Sequence, residues 1–409
     1  MAREVRSSRC RCPATAKGRL CCGCLVCTVV IAIILLIAAV VIGKIGGNGI
    51  TKLPDNTRTD ATDDLDPTNV MRVTWLPGCG EGKKTDEELD QCGGSCFNSS
   101  LISRMESFYA ENGFRMVNFS SRAGPRDGPN GQDAVKIKAW YIPPAPGVNV
   151  GPGTPPRVVV SHGTNQNQNK FESQIAGFLL AQAGFGVLLP SLRDHGYSGD
   201  SKLRTFAWGW EYPYDLLGAW DYAKNDPDGL LGGALPADQV GVMGFSMGGF
   251  TAVNAFGMER DIPAVWADAP VFSVREILLH ELRKIVGPLG DLAIPFAWAF
   301  ANQVVQLDFN TPARVLLGGP ASQRQVYLVQ NTLDTTVPEK QGKELIDFLQ
   351  KYPDEYKSEA WYPAEECNGD THRINHLKDP TGYQARLCAW WTQVFGLSQD
   401  RCAGLPAIF

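Results

Sequence analysis

Gly244-Phe245-Ser246-Met247-Gly248-Gly249 constrains this chain more than any other segment. The apolar run Val240-Gly241-Val242-Met243 precedes it and reads as a buried strand, and Phe250–Phe256 follows as a helix. A strand that enters a helix through Gly-x-Ser-x-Gly must turn sharply, and the serine backbone carries the strain. Glycines on both sides remove side chains that would collide there. The hydroxyl is lifted above the sheet, beside a helix N-terminus that favours developing negative charge. The pattern predicts a nucleophilic Ser246. The plainer alternative is a glycine-rich turn whose serine caps the helix.

The surrounding chain repeats the strand–helix theme. Phe114–Ser120 and Val135–Tyr141 alternate like two antiparallel strands. Strands are then expected at Arg157–Ser161, Phe185–Pro190, Ala264–Ala267, Gln325–Val329 and Glu359–Tyr362. Helices are expected at Gln174–Ala183, Tyr214–Lys224, Lys340–Lys351 and Gly382–Phe395. This alternation implies a mainly parallel sheet covered by helices on both faces. A longer helical stretch, Val271–Val304, interrupts it and suits a small lid spanning about 271–318.

A serine hydroxyl needs a base to take its proton and an acid to orient that base. Two strand ends offer the acid, Asp334 in Gln330–Pro338 and Asp268 after the preceding strand; Asp334 is favoured. The other reading of Asp334 is a turn residue, and of Asp268 a cap for the lid helices. Five histidines exist, and only His372 and His376 follow Asp334. As an i, i+4 metal pair those two would need further ligands and an intervening glutamate, which is absent, so no metal is expected.

Here the chain resembles the α/β-hydrolase superfamily, most of all its serine aminopeptidase and prolyl-oligopeptidase-like branch. In that branch the catalytic histidine precedes an Asp-Pro and a tyrosine that opens the last helix. Asp379-Pro380-Thr381-Gly382-Tyr383 stands at the matching distance from His372, so the resemblance favours His372 over His376. Ser161-His162-Gly163-Thr164 matches the family's oxyanion loop. The resemblance assigns the Thr164 and Met247 amides to the oxyanion and leaves His162 a structural role. Ser191–Gly199 resembles a loop that shapes the site. The likeness covers most of residues 135–397 and implies a serine hydrolase without a cofactor, acting on a small-molecule, lipid or peptide acyl substrate. The other class of reading is a non-catalytic ectodomain of the same fold used in binding or adhesion. An aminopeptidase would also present an acidic group to the substrate amine, for which Glu211 and Asp215 are candidates.

The N-terminus adds a membrane argument. Arg3, Arg6, Arg9, Arg11, Lys17 and Arg19 precede a stretch, Cys21–Gly43, with no charge. Leu25–Ile42 is almost wholly apolar, close to the ~20 residues that cross a bilayer and longer than the ~7–15 of a signal peptide. We therefore expect a basic cytoplasmic tail at 1–20, a transmembrane signal anchor at 21–45, a flexible stalk at 46–75 and a catalytic domain at 76–409, in a single-pass type II topology. Cys10, Cys12, Cys21, Cys22, Cys24 and Cys27 crowd the anchor's start and are candidates for palmitoylation. The exported side carries sequons at Asn98 and Asn118, and Cys79, Cys92, Cys96, Cys367, Cys388 and Cys402. Three of these cysteines precede the core and three follow it, so full pairing requires at least one bridge between the two ends. A formal charge of −5 gives no ground for nucleic-acid binding.

Overall fold

The computed structural model describes residues 22–53, 76–80, 84–124, 133–148, 150, 153–164, 167–317, 323–405 and 408. Its centre is one eight-stranded sheet in the order β1-β2-β4-β3-β5-β6-β7-β8. The strands are β1 (Arg115–Ser120), β2 (Lys136–Ile142), β3 (Arg157–Ser161), β4 (Gly186–Pro190), β5 (Val240–Phe245), β6 (Ala264–Asp268), β7 (Arg324–Val329) and β8 (Tyr356–Trp361). The first hairpin and the β2–β4 pair are antiparallel; every later pair is parallel.

Strand residues alternate between two cores, as a period of two requires. Val158, Val160, Val187, Leu189, Met243 and Phe245 enter one apolar cluster. Val159, Leu188 and Val242 enter the other. The first face is covered by α3 (Ser99–Asn112), α4 (Phe171–Gln182) and α12 (Pro380–Val394); the second by α5 (Trp208–Asn225), α6 (Met247–Met258) and α10 (Glu339–Leu349). Both faces are dry, so the central strands read as unbroken apolar runs. Gly241 has a packing reason: a Cβ there would lie 2.1 Å from the Trp391 ring.

Between β6 and β7 the chain inserts α7 (Val274–Val286), α8 (Leu289–Val304) and the short α9 (Pro312–Val315). The stretch expected as continuous helix breaks at Gly287-Pro288. Gly287 takes a left-handed φ of 58°, which glycine adopts without penalty and a β-carbon would resist. α7 is fastened to the sheet domain at its start, where the Phe272 and Ser273 amides donate to Gln341 Oε1 (2.9 and 2.8 Å). Farther along it, His280 Nε2 lies 3.0 Å from the Thr335 carbonyl, and Lys284 Nζ donates to that same oxygen (2.7 Å).

The N-terminal helix α1 (Cys22–Thr51) is apolar and long enough to cross a membrane by length and composition. Residues 28–37 of it are exposed, whereas Ala39, Gly43 and Gly47 are buried. These three small residues recur every fourth position and so share one face. The backbone of α8 comes close to that face: a Cβ on Gly43 would sit 2.8 Å from the Ala293 carbonyl, and one on Gly47 2.5 Å from that of Ala297. The helix runs on through 46–51, where a stalk was expected, because its end is packed and tied. Phe206 N donates to Thr51 O (2.9 Å), and Trp208 Nε1 to Ile50 O (3.1 Å). The remaining stalk residues, 54–75, lie outside the described residues, as do the expected tail at 1–20 and Cys10, Cys12 and Cys21.

Two helices in the segment after Leu76 had no sequence expectation. α2 (Asp86–Gly93) opens with a capping box between Thr85 and Glu88, and α3 with Asn98 as its cap. Among the described residues the bridges are Cys79–Cys92, Cys96–Cys367 and Cys388–Cys402. Cys96–Cys367 joins the early segment to the late one. The remaining helix, α11 (Asn375–Lys378), follows the loop that carries His372.

Candidate active site

Ser246 sits between β5 and α6 with φ 55° and ψ −118°, a region that a residue with a β-carbon seldom occupies. Such a conformation costs roughly 1–3 kcal/mol and persists only when its surroundings enforce it. They do so here. The Ser246 amide donates to the Asp268 carbonyl (2.8 Å), and the Ser246 carbonyl accepts from Phe250 N (3.0 Å). A Cβ on Gly244 would lie 2.1 Å from the Gly248 carbonyl, and one on Gly248 2.3 Å from the Ser161 carbonyl. Both glycines are therefore sterically required.

His372 reaches Ser246 from a loop after β8, and Asp334 reaches His372 from the loop after β7. His372 Nε2 lies 2.9 Å from Ser246 Oγ, and His372 Nδ1 2.6 Å from Asp334 Oδ2. Asp334 Oδ1 accepts from the amides of Thr336 and Val337 (both 2.8 Å), which fixes the carboxylate. The Asp370 side chain accepts from His372 N (2.8 Å) and holds the loop. All three residues are buried, at 5–6% exposure. Burial pulls the His372 pKa below its ordinary value, although the adjacent Asp334 charge pushes it the other way. The imidazole is thus neutral at pH 7 and able to accept a proton.

The alternatives are engaged elsewhere. Asp268 accepts from Tyr383 Oη (2.7 Å), and burial raises its pKa to about 7. His376 packs among the rings of Phe171, Phe245 and Tyr383, and burial lowers its pKa to about 3. His162 lies 2.8 Å from the Gly163 carbonyl through Nδ1 and accepts from Leu192 N (3.1 Å) through Nε2, so it buttresses two loops.

The loop Ser161-His162-Gly163-Thr164 packs against the serine turn, its carbonyls lying where a Cβ on Gly248 would go. Thr164 is half-buried, and its carbonyl accepts from Lys170 Nζ. Met247 begins α6 and is fully buried. Beside the loop, buried Glu172 pairs with Arg373. Sequence reasoning missed this pair; Arg373 stands next to His372 in the chain, but Glu172 is 201 positions away. Burial pushes the Glu172 pKa up, but the charges of Arg373 and Lys170 together with a backbone hydrogen bond outweigh it and leave the carboxyl below its ordinary value. Glu211 and Asp215 both bond Arg193, at 3.0 and 2.7 Å. That cluster braces the loop at 191–199, where the Arg193 amide also donates to Asp215 (2.9 Å).

Asn98 is exposed; its Oδ1 accepts from Leu101 N (3.2 Å) and from Ser100 Oγ (2.5 Å). Asn118 is exposed on the edge strand β1.

A family model described as the α/β hydrolase fold matches residues 156–297. Among solved structures, an esterase of Pyrococcus furiosus aligns with 79% of this chain and 97% of its own, at 17% identity and a TM-score of 0.51. A puromycin-hydrolysing peptidase of Mycobacterium tuberculosis aligns with 68% of this chain and 40% of its own, at 20% identity and a TM-score of 0.45. A comparison with curated proteins found no match to this sequence. At such identities the likeness is one of fold, and the fold of this chain is the α/β-hydrolase fold.

Proposed function

We propose that the protein is a membrane-anchored serine hydrolase acting on an ester, thioester or amide bond. The observation that carries this reading is the continuous chain from Ser246 Oγ through His372 to Asp334, at 2.9 and 2.6 Å. In the proposed reaction His372 Nε2 removes the serine proton as Oγ attacks the acyl carbon. The Thr164 and Met247 amides receive the oxyanion. The protonated imidazole then gives its proton to the leaving group, and Asp334 stabilises the imidazolium. Water attacks the acyl-enzyme by the same route in reverse, so ester and water leave as acid and alcohol, with no net change in the enzyme.

In this reading α1 is the anchor, and the basic residues before it keep the N-terminus cytoplasmic, so that 76–409 is lumenal or extracellular, where the bridges would persist. The α7–α9 insertion acts as the lid. Labelling with a fluorophosphonate tests the reading. The wild type should label at Ser246, and Ser246→Ala should not. A folded wild type that fails to label would make the chain a non-catalytic relative.

A further inference from the structure

An apolar cleft of about 350 Å³ lies between the end of α1 and α7, with Trp208 of α5 also lining it. Its α1 wall includes Ile45, Gly49 and Ile50, and its α7 wall Ile277 and Ile285. Glu281 is the single charged side chain of the lining, and it is paired with Lys284 (2.7 Å). The volume falls in the ~300–1,000 Å³ range of small-molecule sites, whose usual lining mixes apolar walls with several polar groups. Here the polar groups are nearly missing, which suits hydrocarbon rather than a peptide or sugar.

Two continuities indicate where such a chain comes from and where it leads. Outward, the α1 wall belongs to the helix whose preceding residues 29–37 are exposed and apolar. A bilayer around that helix would present acyl chains to the cleft from the side. Inward, Ile50, Trp208 and Ile277 pack in the same apolar cluster as Met247 and Phe250, the residues that follow Ser246. The Trp208 and Phe250 rings meet edge to face, with centroids 5.7 Å apart. We propose that the cleft takes the hydrocarbon chain of a membrane lipid ester, which passes between the anchor helix and the lid to present its acyl carbon to Ser246. This rests on the hydrolase reading above and narrows its substrate to long-chain esters.

The test uses the full chain in lipid nanodiscs, with p-nitrophenyl acetate and p-nitrophenyl decanoate as probes. The wild type should favour the decanoate in kcat/KM by about tenfold or more. Gly49→Phe should lower the decanoate-to-acetate ratio about tenfold, because a Cβ on Gly49 meets open space and the ring would fill the cleft. Ile285→Lys, at a position 78% exposed on the cleft wall, should lower it as well and does not depend on repacking. Acetate turnover with an unmoved ratio in both variants, or a wild type that prefers acetate, overturns the proposal and leaves the hydrolase reading standing. Chemical cross-linking is run alongside: a wild-type dimer that Gly49→Phe loses, with an unmoved ratio, also overturns the proposal and assigns the cleft to a second copy. Failure of the wild type to hydrolyse either ester or to label with fluorophosphonate removes both readings together.

Discussion

At the scale of single residues, two buried aspartates beside one serine have different partners. Asp334 touches His372 and is held by two amides, whereas Asp268 sits against Tyr383 with its pKa raised to about 7. An Asn at 268 has nearly the same shape and can still accept from Tyr383. Asp268→Asn should therefore keep ester hydrolysis within a few-fold of wild type. Asp334→Asn leaves no charge to stabilise an imidazolium and should lose about 10⁴-fold in kcat. Steady-state kinetics of the two variants decides, and the reverse ranking would reassign the acid. The pH profile is fixed by the same contacts. Only neutral His372 accepts a proton, and burial lowers its pKa. Activity should be lost as pH falls through that lowered value, so the acid limb of kcat/KM should have its midpoint below about 6.5. A midpoint above 7 would mean that the Asp334 charge, rather than burial, dominates the His372 pKa.

Elements differ in how far the sequence disclosed them. Strands β3 to β7 were legible because their apolar runs follow from burial on both faces, and the serine turn because steric exclusion demands its glycines. α2 and α3 were missed. α2 has only 8 residues, and the polar faces of both hide the apolar period, although Thr85-x-x-Glu88 carried a capping signal. The choice of His372 over His376 came only through the family resemblance that Asp379-Pro380 carries, while the Glu172–Arg373 pair depends on two distant loops meeting. The contact between α1 and α8 was hidden for a similar reason, since Gly43 and Gly47 look like ordinary small residues of a span. Gly43→Leu should force the helices apart, because even a Cβ would come within 2.6 Å of Phe296. Overpacking of this kind costs about 1–3 kcal/mol. Hydrogen exchange of the α8 amides should accelerate in Gly43→Leu and stay unchanged in Val41→Leu, whose side chain is exposed. Equal exchange in both variants would show that the two helices do not depend on each other.

At the scale of the whole molecule, the cysteine-rich segment and the histidine loop form one unit. Cys96–Cys367 spans 271 positions, and Asn368 Nδ2 donates to the carbonyls of Cys92 (2.6 Å), Pro77 and Gly93 (both 3.2 Å). In the chain-entropy model a loop of that length contributes about 5 kcal/mol, with real bridges often giving less. Cys96→Ser should accordingly loosen the loop that aims His372. Fluorophosphonate labelling should fall before the far-ultraviolet dichroism of the sheet melts; simultaneous loss would mean that the bridge supports the whole domain.

The proposed topology makes a prediction about the same scale. Asn118 projects from β1, which among the described residues pairs only with β2 and leaves its other edge open to strand addition. Asn98 caps α3 through Oδ1, so its Nδ2, the atom that carries a glycan, is not the capping atom. Both side chains are exposed, and in the type II orientation both face the glycosylating compartment. A glycan at Asn118 would also shield the open edge. Protein made in a eukaryotic secretory system should shift in gel mobility on glycosidase treatment, in two steps that disappear one at a time in Asn98→Gln and Asn118→Gln. It should also stay with membranes through a carbonate wash. An unglycosylated protein would reverse the orientation. A glycosylated one released by carbonate would mean that α1 lies against the lid without crossing a bilayer.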